Sequence, residues 1–191
     1  ADSVVVQGTG AVGLSIVALA RLSGAGTIVA IGAPADRLEL ARRMGADLTL
    51  DVTTTTPAER LERVRALTGG RGADVGIEAS GAPAAVEEAP SLIRDGGRYV
   101  IAGHYTDAGA STINAHTQIN RKHLEIRGCW GSEAGHFLRA VQVLDRYAAT
   151  IPWRDIGARI YALDELNDAL AAAAAYRIPK ALVAPQRRAR A

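Results

Sequence analysis

Near its start the chain contains Val4-Val5-Val6-Gln7-Gly8-Thr9-Gly10-Ala11-Val12-Gly13, a β-branched run that leads into the spacing G-x-G-x-x-G. Ile16, Leu19 and Ala20 follow at helical spacing, so a strand, a glycine turn and an amphipathic helix are predicted in that order. The first glycine permits the tight turn, the second lets a phosphate approach the backbone, and the third lets the helix lie close to the strand. The free N–H groups and positive dipole end of the helix then face an anion. The stretch therefore predicts a pyrophosphate site.

The alternation of strand and helix continues beyond this stretch. Apolar runs predict further strands at 27–31, 48–50, 73–77 and 98–102, with helices at 36–44, from Thr56 to Gly69-Gly70, and at 83–93. The segment Thr56-Pro57-Ala58-Glu59 gives the clearest helix start, with Thr at the N-cap, Pro at N1 and Glu at N3. Strands that alternate with helices in this way imply βαβ units and a parallel sheet.

After Gly103 the alternation loosens. Residues 106–120 are polar and are predicted to be irregular, 124–129 predict a sixth strand, and 132–147 predict a helix. A short strand near 159–161, a helix at 164–175 and a closing strand at 181–183 complete the prediction. We therefore predict an α/β fold with a doubly wound, mostly parallel, six-stranded Rossmann sheet and helices on both faces. We expect residues 1–191 to form one dinucleotide-binding domain, with a core over about 1–150 and a closing segment over about 151–191.

Composition and charge exclude several classes of protein. No uninterrupted apolar segment is long enough to span a membrane, and the chain does not open with a basic n-region followed by an apolar h-region. The formal charge of +2, the mixing of basic and acidic residues along the predicted helices, and a single Phe argue against nucleic-acid binding. The cluster Arg187-Arg188-Ala189-Arg190 is expected to be a frayed terminus. The single Cys129 excludes an intramolecular disulfide and fits a reducing compartment, so a cytoplasmic location is expected.

The start of the chain is unusual. The only methionine is Met44, and the first predicted strand begins within a few residues of Ala1. We therefore expect the chain to be a piece of a longer protein.

Several landmarks stand in an order that resembles one known family. They are Gly8-Thr9-Gly10-Ala11-Val12-Gly13, Arg37-Leu38-Glu39-Leu40-Ala41 with Gly45-Ala46-Asp47, Asp74-Val75-Gly76-Ile77-Glu78-Ala79-Ser80-Gly81, and Gly96-Gly97-Arg98-Tyr99-Val100. This order resembles the nucleotide-binding domain of the medium-chain, zinc-type alcohol dehydrogenases. Leu163-Asp164-Glu165-Leu166-Asn167-Asp168-Ala169 and Lys180-Ala181-Leu182-Val183 resemble the last helix and strand of that family. The resemblance covers nearly the whole chain, and its C-terminal helix and strand are expected to pack toward the family's N-terminal catalytic domain.

The resemblance implies a set of cofactor-binding residues. In this sequence they are Gly8, Thr9, Gly10, Ala11, Val12, Gly13, Gly32, Ala33, Arg37, Ala79, Ser80, Gly81, Ala102, Gly103, His104, Cys129, Trp130 and Lys180. By this resemblance the backbone of 10–12 cradles the pyrophosphate, and the backbone of 102–104 and of 129–131 bonds the nicotinamide carboxamide. Val12 is expected to pack on the nicotinamide ring, with a contact in the helix-to-sheet core as its alternative. Lys180 is expected to reach the pyrophosphate, with a solvated surface lysine as its alternative.

The sequence departs from the family pattern where the adenosine ribose binds. An acidic residue roughly 20 residues beyond the glycine loop normally binds the ribose hydroxyls of NAD. Here the residue 19 positions beyond Gly13 is Gly32, in Ile31-Gly32-Ala33-Pro34. Without that acid the repulsion against a 2′-phosphate is lost, and Arg37 lies about one turn further on, where a cation can pair with phosphate. The choice between NAD and NADP stays open.

By resemblance, the full-length protein is a zinc-type, NAD(P)-dependent enzyme that transfers hydride between an alcohol or polyol and the nicotinamide. The family holds its catalytic zinc in a domain that precedes the glycine loop. The histidines His104, His116, His123 and His136 form no His-x-x-x-His pair, and one cysteine cannot build a thiolate site. We therefore predict no metal ligand and no catalytic residue in this chain, which is expected to bind the cofactor without turnover.

Three alternative functions bear on the same residues. Tyr176-Arg177-Ile178-Pro179-Lys180 matches the Tyr-x-x-x-Lys pair of short-chain dehydrogenases, but Pro179 breaks the helix that this pair needs. A non-catalytic NAD-sensing module has no reason to carry the dehydrogenase-like ending. A zinc-free quinone or enoyl reductase of the same superfamily stays open.

For partners we expect a nicotinamide dinucleotide and an alcohol or carbonyl substrate, with no nucleic acid and no membrane. We also expect a second copy of the chain, paired through the edge strand at 124–129, because apolar exposed edges invite such pairing.

Overall fold

The computed structural model describes residues 1–175 and 177–186. Tyr176 of the Tyr-x-x-x-Lys pattern and the cluster Arg187-Arg188-Ala189-Arg190 therefore lie outside the described residues. The chain divides into two compact units, Ala1–Tyr147 and Ala148–Ala191. Within the described part of the chain, no helix is long and apolar enough to cross a membrane.

The first unit is built on a six-stranded parallel sheet with the order β3-β2-β1-β4-β5-β6. Its strands are β1 (Ser3–Gln7), β2 (Thr27–Gly32), β3 (Leu48–Asp51), β4 (Ala73–Glu78), β5 (Ile93–Ile101) and β6 (Glu125–Gly128). The predicted parallel sheet is confirmed, including its sixth strand at the edge. The fifth strand begins five residues before its predicted start at Arg98, because Ile93 already pairs with Ala73 ahead of a register shift.

Helices connect these strands. They are α1 (Ala11–Leu22), α2 (Ala35–Arg43), α3 (Pro57–Leu67), α4 (Pro83–Leu92) and, after the sheet, α5 (Ala134–Arg146). The capping box predicted for α3 is present: Glu59 N donates to Thr56 Oγ1 at 3.3 Å, and Thr56 N donates to Glu59 Oε2 at 2.7 Å. These two bonds satisfy amide groups that the first turn of a helix leaves unpaired.

The prediction that 106–120 is irregular is wrong at its end. Ala115–Asn120 forms a π-helical segment. It begins at Asn114, whose side chain accepts a hydrogen bond from Thr117 N at 3.1 Å, and Leu124 N donates to Ile119 O at 3.1 Å as the chain turns into β6. Asn is a favourable N-cap residue because its side-chain oxygen pairs a free amide. The prediction of irregular structure relied on the lack of an apolar periodicity, whereas this segment is specified by its polar cap.

Apolar side chains cover both faces of the sheet. On one face Val5, Val29 and Ile31 cluster with Val64 of α3 and Leu92 of α4. Successive residues of a strand point to opposite faces, so the buried neighbours of these strand residues, such as Val4 and Ile28, face α1 and α2. The predicted doubly wound arrangement is thereby confirmed.

Asp74 fastens the start of β4 to the strands on either side. Its carboxylate accepts from Ser3 N at 2.7 Å, from Ser3 Oγ at 2.7 Å and from Arg94 Nε at 2.6 Å. Burial alone would raise the pKa of Asp74, but the hydrogen bonds from Ser3 and the charge of Arg94 outweigh it and hold the pKa well below its ordinary value. The carboxylate is therefore ionised at neutral pH.

The second unit contains a single βαβ arrangement within its described residues. Strand β7 (Ala158–Ala162) pairs in parallel with β8 (Lys180–Ala184), and α6 (Leu166–Ala174) connects them. A short 3₁₀ segment, Leu163–Glu165, precedes α6. The predicted strand, helix and closing strand are confirmed.

Candidate functional site

The predicted cofactor residues of the first unit gather at one edge of its sheet. In a parallel sheet the carboxyl ends of the strands meet at the same edge, and ligands bind in the crevice where the strand order reverses. Here that reversal lies between β1 and β4. The segments at this edge are 8–13 after β1, 79–81 after β4, 102–104 after β5 and 129–130 after β6, together with 32–33, where β2 ends.

The first and third glycines of the loop are required by the protein's own packing. Gly8 has φ +110°, and a Cβ there would lie 2.7 Å from the carbonyl carbon of Ala79. A Cβ on Gly13 would lie 1.9 Å from Gly8 O. These contacts leave no room for a side chain at either position, which confirms the turn and close helix–strand approach predicted from the spacing.

The second glycine is different. Gly10 is the N-cap of α1 with φ −74°, a conformation open to any residue, and a Cβ there would meet no heavy atom of the described residues within 4 Å. No acidic residue stands in the first turn of α1, where the amide groups lack helical partners. The backbone at Gly10 therefore faces open space beside a helix end that favours an anion.

Val12 follows in the same turn. Val12 is 56 % exposed. The alternative of a contact in the helix-to-sheet core is therefore wrong, and the expected contact with the nicotinamide ring stays a prediction.

Beneath the loop a buried polar network links β1 to two helices. Arg60 Nε of α3 lies 2.7 Å from Glu88 Oε1 of α4, and both side chains are almost fully buried. Glu88 Oε2 also accepts from Gln7 Nε2 at 3.5 Å, and Gln7 is the residue directly before Gly8. This network anchors the start of the glycine loop on the helices below it.

Glu78 lies at the centre of this edge, although no sequence pattern assigned it a role. It ends β4 and is fully buried. Its Oε1 accepts from Ser80 N at 2.6 Å, Ser80 Oγ at 2.8 Å and Gly81 N at 2.6 Å. Its Oε2 accepts from Gly103 N at 3.0 Å. One carboxylate therefore ties the segment after β4 to the segment after β5.

Two further side chains lie near this carboxylate. His104 Nε2 is 3.8 Å from Glu78 Oε2, is buried and has no hydrogen-bond partner among residues 1–175 and 177–186. Burial, together with the charge of Glu78, raises the pKa of Tyr99, so its phenol is neutral at physiological pH. The structure thus places His104, predicted from the family resemblance, directly against the carboxylate that the prediction missed.

The segments after β5 and β6 are also joined. Cys129 N donates to Ile101 O at 2.9 Å, and Gly131 N donates to Tyr105 Oη at 2.7 Å. The rings of Tyr105 and Trp130 stack with centroids 4.7 Å apart and planes 11° apart, although Trp130 is 75 % exposed. Tyr105 was not predicted, because its link to the segment after β6 becomes visible only when both strands are placed side by side.

The part of this edge where the adenosine ribose is expected to bind lies at the end of β2. Thr9 is buried and its Oγ1 donates to Ala33 O at 3.1 Å, so the glycine loop contacts the end of β2 directly. Arg37 is buried in α2 and interacts with another group of the protein. Lys180 is exposed at the start of β8, in the second unit, and its contact with the pyrophosphate stays a prediction.

The family resemblance implies a zinc ion in another domain of the family, and the described residues of this chain offer no site for one. Nowhere in 1–175 and 177–186 do three or more His, Cys, Asp or Glu side chains gather as a metal ion would require. The single cysteine of the sequence, Cys129, is exposed and unbridged.

Comparison with known proteins agrees with this geometry. Residues 11–146 match the family described as zinc-binding dehydrogenase. A 5-exo-hydroxycamphor dehydrogenase from Pseudomonas putida is 37 % identical over 169 residues, which are 88 % of this chain and 46 % of that protein. An erythritol/L-threitol dehydrogenase from Mycolicibacterium smegmatis is 36 % identical over 135 residues, 68 % of this chain and 36 % of that protein.

Among solved structures, an alcohol dehydrogenase from Thermotoga maritima superposes with a TM-score of 0.90 and 32 % identity. The superposition covers 97 % of this chain and 50 % of that one. The chain thus spans about half the length of the proteins it matches.

Proposed function

Because this chain belongs to the zinc-binding dehydrogenase family, we propose that it binds a nicotinamide dinucleotide for an oxidoreductase acting on an alcohol or polyol. The open backbone at Gly10 carries this proposal. The protein's own backbone leaves no room for a Cβ at Gly8 and Gly13, whereas no described atom lies within 4 Å of the Cβ position of Gly10. A pyrophosphate that approaches the backbone there supplies the missing reason for glycine at this position.

Each part of the dinucleotide has a place along the edge of the sheet. The first turn of α1 would hold the pyrophosphate, and the backbone from Gly32 would hold the adenosine ribose. The backbone after β5 and β6, including Gly103 and Cys129, would bond the nicotinamide carboxamide, with Val12 against the ring. When bound, the cofactor supplies the acceptor or donor of hydride.

The relatives support the substrate class. Their names specify an alicyclic alcohol and polyols, among them 5-exo-hydroxycamphor and erythritol. We therefore propose an alcohol or polyol as substrate of the whole protein. This chain's part would be to orient the nicotinamide and to leave the face above Val12 open to the substrate.

The variant Gly10→Ala tests the proposal. A Cβ there would enter the proposed pyrophosphate space, so we expect the dissociation constant for NADH to rise about tenfold or more, as for the loss of one charged hydrogen bond. Alanine is a poorer N-cap than glycine, so the free energy of unfolding should fall by only about 0.5–1 kcal/mol.

Gly135→Ala is the matched control. Gly135 also has no described atom within 4 Å of its Cβ position, but it lies in α5. Its variant should bind NADH like the unmodified chain, measured by quenching of tryptophan fluorescence. Equal binding by the Gly10 and Gly135 variants, or no binding by the unmodified chain, would contradict the proposal.

We also propose that two copies of the chain pair through β6 and that the protein is cytoplasmic. Glu125–Gly128 forms one edge of the sheet, and exposed edges invite pairing with another copy. The cytoplasmic location rests on the single Cys129. Light scattering at high protein concentration should give the mass of a dimer, and a monomer would contradict the pairing.

A further inference from the structure

The side chain of Thr9 is the reason that position 32, where the adenosine ribose is expected, is occupied by glycine. A Cβ built on Gly32 would lie 2.4 Å from Thr9 Oγ1, 2.7 Å from Thr9 Cγ2 and 3.0 Å from Thr9 Cβ. Thr9 cannot easily move away, because it is buried and its hydroxyl bonds Ala33 O at 3.1 Å. No residue with a side chain fits at position 32 while threonine stands at position 9.

This packing has a consequence for charge. The acid that binds the ribose hydroxyls of NAD, and repels the 2′-phosphate of NADP, would stand at position 32. Thr9 occupies the volume in which that side chain would begin. The loop that cradles the pyrophosphate therefore also decides which residue can stand at the ribose end.

Two carboxylates lie near Gly32 in register or in sequence, and each is hydrogen-bonded through one oxygen within its own segment. Asp51 is the register partner of Gly32, one strand further out, and its Oδ1 accepts from Thr53 N at 2.8 Å and Thr53 Oγ1 at 2.6 Å. Asp36 Oδ1 accepts from Arg37 N at 2.8 Å. Both carboxylates are thus engaged in turns of their own segments.

We infer that Thr9 and Gly32 form a coupled pair that determines cofactor specificity by keeping a carboxylate out of the ribose end. The domain consequently binds NADP with an affinity within about tenfold of its affinity for NAD, because the main source of charge repulsion is missing. This inference rests on the proposed nicotinamide dinucleotide site and names the form of the cofactor that the site accepts.

Four proteins test the pair: the unmodified chain, Gly32→Asp, Thr9→Ala/Gly32→Asp and Thr9→Ala/Gly32→Ala. Dissociation constants for NADH and NADPH are measured on each by fluorescence titration. Thr9→Ala removes the two closest atoms, and the next nearest, the Cβ of residue 9 at 3.0 Å, needs only a small shift. The Thr9→Ala/Gly32→Ala variant has the same packing without the charge and is the matched control.

Neither the unmodified chain nor the Thr9→Ala/Gly32→Ala control should distinguish NADH from NADPH by more than about tenfold, whatever absolute affinity the control retains. Gly32→Asp alone should weaken both, because the new side chain displaces Thr9 and the glycine loop. Thr9→Ala/Gly32→Asp should recover NADH binding and bind NADPH about tenfold or more weakly than NADH, through repulsion between the carboxylate and the 2′-phosphate.

Three results would overturn the inference. The first is an unmodified chain that binds NADH but binds NADPH more than about tenfold more weakly, a difference above about 1.4 kcal/mol. The second is a Gly32→Asp variant that keeps full NADH affinity while it rejects NADPH, which would show that Thr9 does not restrict position 32. The third is a Thr9→Ala/Gly32→Asp variant without preference. An unmodified chain that binds neither cofactor would instead refute the proposed function itself.

Discussion

Replacing Glu78 with glutamine should loosen the edge of the sheet where the nicotinamide is proposed to bind. The carboxylate is fully buried and accepts four hydrogen bonds, from Ser80 N, Ser80 Oγ and Gly81 N on one oxygen and from Gly103 N on the other. Glutamine has nearly the same size, but it has one acceptor oxygen and an NH₂ donor in place of the second. The substitution therefore changes hydrogen bonding and charge while leaving the packing intact.

The structure sets the size of the effect. If the amide oxygen stays with the three donors at Oε1, the NH₂ group must face Gly103 N at the present 3.0 Å, where two donors meet. A buried donor left unpaired costs about 1–3 kcal/mol, and the remaining bonds lose the extra strength that a charged acceptor gives them. We expect the free energy of unfolding to fall by about 2–4 kcal/mol, a large share of the roughly 5–15 kcal/mol of a typical domain.

The assay separates stability from positioning. Urea unfolding at pH 7 gives the change in free energy. In parallel, the affinities for NADH and for ADP-ribose are compared under conditions in which the variant is folded. If Glu78 positions the segment at Gly103, NADH should bind about tenfold more weakly, about 1.4 kcal/mol, whereas ADP-ribose, which lacks the nicotinamide, should bind within about twofold of the unmodified affinity.

Two results would refute this reasoning. Unchanged stability would mean that the carboxylate is replaceable by a neutral group, as is found for some buried ions. An equal loss of affinity for NADH and ADP-ribose would mean that Glu78 supports the whole fold rather than the nicotinamide end.

Three other substitutions test the elements below the site by urea unfolding. Gly13→Ala places a Cβ 1.9 Å from Gly8 O and should cost about 3 kcal/mol or more or prevent folding, so a loss under about 1 kcal/mol would contradict the close approach of α1 to the loop. Glu88→Ala leaves Arg60 buried without its carboxylate partner, with only its hydrogen bonds to Thr55, and should cost about 3–5 kcal/mol. Arg60→Met/Glu88→Met should recover most of that loss, and failure to recover would show that the charges themselves are needed. Asp74→Asn should lower the free energy of unfolding at pH 7 by about 1–3 kcal/mol. Because folding lowers the pKa of Asp74, its stabilisation exists above the unfolded-state pKa of about 4 and is lost as pH falls, so the Asn variant and the unmodified chain should converge in acid.

The fold was predictable because its signals are local. The β-branched run before Gly8 and the capping box at Thr56 each specify an element within a few residues, and both are confirmed. The same reliance on local patterns explains the two errors. The helical segment at Ala115–Asn120 depends on the polar cap of Asn114, and the early start of β5 depends on pairing with Ala73, which lies far away in sequence.

The site was predictable only in part, because its decisive contacts join different strands. Glu78 and Gly103 are 25 residues apart, and Tyr105 and Gly131 are 26 apart. The one available signal for Glu78 was an acid directly after a predicted strand, followed by Ala79-Ser80-Gly81. No local pattern identifies the donor from the neighbouring strand.

The glycines at this edge show why a motif alone does not reveal its ligand. Gly8 and Gly13 are fixed by backbone contacts, and Gly32 is fixed by the side chain of Thr9. In the sequence these positions look the same as Gly10, yet of the four only Gly10 has both an ordinary φ and no described neighbour at its Cβ position. Gly10 differs from Gly135, which is equally open, because it lies at the N-terminus of α1, where an anion is favoured. Substitution at Gly10 should therefore change ligand binding far more than stability.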